Sequence, residues 1–162
     1  MVGGGTAGIY RERTMTASDK RRQAYLTVAV SLAMAGIFIY AAIDKIHDPL
    51  QFADSVAAFG ILPAVFISLL ALALPPFEIA CGLLMLAPRT RRIGALAIIL
   101  LSAIFFTALA SALLRGLTLD CGCFGAGAPS RPRMWLELVL DMALFASALF
   151  VYLRPIARPS RE

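Results

Sequence analysis

The apolar residues of this 162-residue chain gather into four long runs, not into the narrow stripe of a soluble amphipathic helix. The runs cover residues 24–43, 62–87, 93–114 and 134–153. A helix needs about 20 mostly apolar residues, at ~1.5 Å rise each, to cross a bilayer, and each run is long enough. None alternates with a period of two, which argues against a membrane β-barrel. The second run contains Pro75-Pro76. Proline lacks an amide hydrogen and crowds the preceding turn, so the run predicts one bent span. Two half-helices joined by loose backbone would leave polar groups facing lipid. The expected fold is all-α, a polytopic membrane protein built as an antiparallel bundle of four transmembrane helices. On this reading 1–23 is a partly disordered tail, 24–153 the membrane domain and 154–162 a second tail.

The connections add detail. The link 88–92 is short, so the second and third spans form a hairpin. The connections 44–61 and 115–133 are long enough to fold over one end of the bundle. In the first of these, Phe52, Val56 and Phe59 recur at helical spacing and predict a short amphipathic helix at the interface. Gly36, Gly82, Gly94, Ala108 and Ser111 are expected at helix–helix contacts, where small residues let backbones approach.

Composition agrees with a membrane protein: 60% of residues are hydrophobic, where soluble domains have about half. The net charge of +5 lies between and beyond the apolar runs. No basic face is interleaved with aromatics, which excludes a nucleic-acid partner. With both ends on one side, that side holds eleven Lys and Arg, among them Lys20, Arg21, Arg22, Arg91 and Arg92, and the other holds four, Lys45, Arg115, Arg131 and Arg133. The positive-inside rule therefore predicts cytoplasmic termini in a bacterial-type inner membrane. The first run exceeds a signal-peptide core of about 7–15 residues and is read as a retained helix.

Candidate chemistry centres on Asp120-Cys121-Gly122-Cys123-Phe124-Gly125. This segment is predicted to lie outside, where disulfides persist. Gly122 supplies the bend that a disulfide between Cys121 and Cys123 needs. So small a ring would staple little, whereas strained exposed disulfides are the labile kind. A redox pair, a metal site and a structural pair remain open on spacing alone. The metal reading is short of ligands: His47 is the sole histidine, and Cys81 lies inside the second run. Arg115, Arg131 and Arg133 would favour a thiolate here, and Asp120 would oppose it.

Three acids sit within apolar runs: Glu78, Glu137 and Asp141. A carboxyl at membrane depth must be paired or neutralised, so Glu78 and Asp141 are expected in the bundle interior as a proton, carrier or packing site. Carbonyls freed by Pro75-Pro76 are candidate partners for Glu78. Glu137, nearer the helix end, is expected to reach out to water. Lys45, in the first long connection, is a candidate partner for one of these acids or an anchor for the cysteine segment.

Several stretches, in order, carry a resemblance: Asp44-Lys45-Ile46 with Asp48-Pro49 and Phe52; Gly60-Ile61-Leu62-Pro63; Pro76-Phe77-Glu78 with Gly82; and Cys121-Gly122-Cys123-Phe124-Gly125. Together they resemble the MauE family, within the wider DoxX-like group of four-helix membrane proteins. The resemblance implies a role in maturing extracytoplasmic disulfide-rich proteins, beside a thioredoxin-like partner, with Cys121 and Cys123 as the redox pair. The architecture is also similar to that of quinone-linked thiol oxidoreductases, which implies a membrane quinone as candidate cofactor. Those enzymes carry Cys-x-x-Cys, where this chain has Cys-x-Cys.

Overall fold

A computed structural model describes residues 17–119 and 130–154. The described residues form five helices: α1 (Ala17–His47), α2 (Pro49–Ala58), α3 (Ala64–Leu86), α4 (Arg91–Leu114) and α5 (Arg131–Leu153). Four of them, from Arg21–His47, Ala64–Leu86, Arg91–Leu114 and Arg131–Leu153, are long and apolar enough to cross a membrane. Helix α3, at 23 residues, spans about 35 Å at 1.5 Å per residue, slightly more than a hydrocarbon core. This is a multi-pass helical membrane protein.

The bundle closes as a ring. α1 packs on α3, α3 on α4, α4 on α5, and α5 more lightly back on α1. Polar contacts fix the two ends. At one end, Arg92 donates to the carbonyl of Arg154 at 3.1 Å, and Arg154 donates to Gln23 Oε1 at 2.8 Å. The start of α1, the α3–α4 link and the end of α5 therefore share this end. At the other end, Arg115 donates from Nη2 to the carbonyl of Phe59 at 2.7 Å, and the Leu119 amide meets Met134 Sδ at 3.2 Å. Successive spans thus reverse direction.

Local chemistry sets the breaks. Asp48 caps α2 by accepting from the Gln51 amide at 3.0 Å, with Pro49 in the first turn where its missing amide hydrogen is not needed. Helix α4 ends on Gly116 at φ 74°. There Leu117 N–H reaches Ala112 O at 3.0 Å and Gly116 N–H reaches Leu113 O at 3.0 Å, the paired bonds of a Schellman stop. At the α3–α4 link the Thr90 hydroxyl and Arg91 Nε donate to the Leu84 and Met85 carbonyls, capping the end of α3.

Large apolar side chains such as Val65, Leu72 and Ile104 point outward, and Leu72 is 77% exposed. In a bilayer these faces meet lipid, so the core is held by close packing and internal polar bonds rather than by hydrophobic burial. Ala42, Ala95, Ala112 and Ala148 are fully buried, which lets the backbones come near. Helix α3 runs unbroken through Pro75-Pro76.

Three placements differ from the sequence reading. Helix α1 continues through Lys45 to His47, so Lys45 belongs to a helix and not to a connection. Phe52 is buried and α2 packs on α3 and α1, so the short helix predicted from Phe52, Val56 and Phe59 seals the bundle as well as flanking it. Gly36 faces outward with nothing within 4 Å of an added Cβ, so it is not a packing glycine. Gly82 and Gly94 are. A Cβ on Gly82 would lie 3.2 Å from the Ala35 carbonyl, and one on Gly94 would lie 3.0 Å from Leu84 Cβ and 3.1 Å from the Met85 nitrogen.

The contrast is testable. Gly94→Val, which presses on α3 backbone, should cost about 1–3 kcal/mol through overpacking and lower the thermal midpoint in detergent. Gly36→Ala should hold or raise it, since alanine is the better helix former. Equal loss in both variants would contradict this packing.

Candidate functional site

The interior polar site starts from Lys45. Helical side chains lean toward the N-terminus of their helix, so Lys45 folds back along α1. Its Nζ lies 3.2 Å from the Ala41 carbonyl and 3.0 Å from both Glu78 oxygens. Phe52 of α2 closes over the ammonium, with the ring centroid 5.4 Å away, within cation–π range. Lys45 is 2% exposed and Glu78 4%. The pair joins α1 to α3, and with α2 above it water is shut out. Glu78 therefore bonds to Lys45 and not, as the sequence suggested, to carbonyls freed by the prolines.

The acids of α5 stand differently. Arg133 Nε donates to Glu137 Oε1 at 3.2 Å, one turn along the helix. Glu137 is buried at 6% exposure, which corrects the expectation that it reaches water. Its length carries it inward because the i,i+4 arginine offers a partner on the way. Glu137 Oε2 is buried with no hydrogen-bond partner among the described residues, and so is Asp141 Oδ2. Asp141 is hydrogen-bonded to the buried Ser102 hydroxyl of α4.

One cavity of about 60 Å³ unites these groups: Lys45, Glu78, Ser102, Glu137 and Asp141 all line it. Phe38, Phe59 and Phe105 supply apolar wall. Lys45, Glu78 and Asp141 were each singled out in the sequence, and the structure sets them on one surface. Ser102 was not, since a lone serine in an apolar run carries no signal until its neighbour is known. Three carboxyl groups line the cavity with one base, Lys45, while Arg133 holds Glu137 from one turn away; two carboxyl oxygens lack donors among the described residues. Such a surface can hold and release a proton, or accept hydrogen bonds from a small polar head. Cys81 is buried and free, three residues from Glu78 on the packed face of α3. Asp120, Cys121, Gly122, Cys123, Phe124 and Gly125 lie outside the described residues; in sequence they follow Leu119, five residues past the end of α4, and precede Ser130, the N-cap of α5.

The family profile described as Methylamine utilisation protein MauE matches residues 23–154, which contain all of these side chains. The chain belongs to the MauE family. It is 33% identical over 124 residues to a "Methylamine utilization protein MauE" of Paracoccus denitrificans, covering 76% of this chain and 66% of that one. The namesake in Methylophilus methylotrophus is 30% identical over 133 residues, 80% of this chain and 70% of that one. That of Paracoccus versutus is 34% identical over 128 residues, 78% and 68%. The chain thus spans about two thirds of the length of these family relatives. No solved structure matches it.

The Lys45–Glu78 pair generates a prediction. Removing one member of a buried pair strands the other, at about 3–5 kcal/mol, while replacing both with apolar residues is often close to neutral. Lys45→Met alone should therefore sharply lower the unfolding midpoint in detergent, and Lys45→Met with Glu78→Leu should recover most of it. A double variant as unstable as the two losses added would mean that the pair is not the lock described.

Proposed function

We propose that this protein is a membrane thiol–disulfide redox protein that matures an extracytoplasmic client through Cys121 and Cys123. The observation that carries the reading is the Cys-Gly-Cys-Phe-Gly signature, which joins α4 to α5 at the Arg133 end of the bundle, next to the helix that bears both half-paired acids. In the forward step a client dithiol gives two electrons and two protons to the Cys121–Cys123 disulfide. The client leaves as a disulfide, and Cys121 and Cys123 become thiols. Membrane lipid is the surrounding partner, and a thioredoxin-like or disulfide-rich protein is the client class.

Charge supports one choice of side. Arg21, Arg22, Arg91, Arg92 and Arg154 belong to the end that holds both described chain limits. Arg115, Arg131 and Arg133 belong to the cysteine end. The excess supports cytoplasmic termini in a bacterial-type inner membrane, with the cysteine segment on the oxidising side. The relatives' names place them in methylamine utilisation, and we extend that setting to this chain as the process its client serves.

A membrane-impermeant maleimide applied to intact spheroplasts after mild reduction should label Cys121 and Cys123 and leave Cys81 unlabelled. Cys123→Ser should leave the client's cysteines reduced, read by mass-tagging of free thiols. Normal client disulfides in that variant would overturn the redox role and leave the protein as an assembly scaffold.

A further inference from the structure

Between α1 and α5, the most lightly packed side of the ring, lies an apolar groove of about 290 Å³. Its small residues, Ala33 on α1 and Ala143 and Ser147 on α5, keep it open. Ile37 and Leu144 line both this groove and the polar cavity. Groove and cavity therefore share a wall made by these two side chains, and movement of either would join them. The cavity alone, at about 60 Å³, is too small for an aromatic ring, since a hollow of about 150 Å³ takes benzene. Cavity and groove together are large enough.

We infer that the α1–α5 groove and the acid-lined cavity behind it form one binding site for a membrane-soluble quinone and its hydroquinone. The ring sits at Ile37 and Leu144, its oxygens toward Glu137 Oε2 and Asp141 Oδ2, and its apolar tail lies in the groove. Glu137 is more than nine-tenths buried, lines the cavity and has an oxygen with no donor among the described residues. A ligand arriving through lipid needs an apolar body to cross the groove, and hydroxyl donors to satisfy acidic oxygens spaced four residues apart on one helix face. Hydroquinone has both.

The choice of a quinone over other lipid-borne donors rests on the thiol–disulfide reading. Closing a dithiol to a disulfide releases two electrons and two protons. A quinone that takes up both pairs becomes the hydroquinone, and two carboxyl groups at the ring are suited to passing two protons. Lys45 is spent on Glu78 and anchors the far wall of the same cavity.

The test uses the full chain in lipid nanodiscs with Cys121 and Cys123 both changed to Ser, so that binding is read apart from thiol chemistry. A photoreactive azido-quinone should label peptides of α1 near Ile37 and of α5 near Leu144, and excess decylubiquinol should compete it away. Ala143→Trp, on an outward-facing position that tolerates bulk, should abolish this labelling. Glu137→Gln with Asp141→Asn should weaken competition by decylubiquinol about tenfold or more, the loss expected for charge-assisted hydrogen bonds. Labelling that oleic acid displaces as well as decylubiquinol does, or that Ala143→Trp leaves intact, would overturn the site and make the groove a general lipid crevice. Because the probe binds without the cysteines, loss of quinone binding leaves the client reaction standing, and normal client disulfides in Cys123→Ser leave the binding site standing.

Discussion

The bundle turns on one ion pair. Lys45 and Glu78 are 33 residues apart in sequence and within 3.0 Å in space. A charge at membrane depth is costly by itself, and the cost falls only if partner and geometry are both in place. Here both carboxylate oxygens, the Ala41 carbonyl and the Phe52 ring surround one ammonium. Several features follow from holding it there. Helix α1 must continue past its apolar stretch to carry Lys45. The chain must then turn at Asp48-Pro49 so that α2 brings Phe52 over the charge. Helix α3 must approach α1 closely, which Gly82 permits against the Ala35 carbonyl. Non-directional packing between apolar helices would set none of these registers, because lipid offers the same contacts as a neighbouring helix.

Most of the fold was legible because membrane crossing is a one-dimensional constraint. Length and apolarity picked out the four spans, and short links implied reversal of direction. What the sequence misplaced were residues whose position depends on a partner far along the chain. Lys45 looked like a connection residue because charge ends an apolar run; the helix continues because Glu78 waits for it on another span. Glu137 looked like a snorkelling residue because it is near a helix end; Arg133 meets one oxygen and turns the side chain inward. Gly36 and Gly82 are both glycines inside apolar runs, and only the helix rotation tells which one meets a neighbour. Cys121 and Cys123, the most specific signal in the sequence, lie outside the described residues, and the reading of them rests on spacing and resemblance.

The three acids in the cavity fall into two kinds, and the difference separates structure from chemistry. Glu78 is saturated: both oxygens face one ammonium, and a bidentate pair has little left to offer a ligand. Among the described residues Glu137 and Asp141 are half-satisfied, each with one oxygen held and one without a donor. A partly satisfied buried network costs stability that an apolar substitute would not, so it persists where something uses it. The held oxygens fix the carboxyl groups against α4 and Arg133, and both side chains line the cavity. Rigid placement on a helix, with one valence left open, is what a site needs to bind or pass a proton reproducibly.

The same division explains why the ring is tight on three sides and loose on the fourth. The α1–α3 side holds the ion pair and its close glycine, α3–α4 is locked by Gly94 and the capped link, and α4–α5 carries the Ser102–Asp141 contact. Among the described residues, α1 against α5 has no polar lock along its middle; the tie between them, Arg154 to Gln23, is at the far end. A bundle closed equally on every side would seal the half-satisfied acids from both water and lipid, where they would only destabilise. On the proposed reading, Ala33, Ala143 and Ser147, set among larger residues such as Met34 and Leu140, leave this seam loose enough to give those acids a route to the bilayer. The fold thus sets its strongest interaction between α1 and α3, on the wall beside the seam, so that α1 stays anchored while its α5 side is packed lightly.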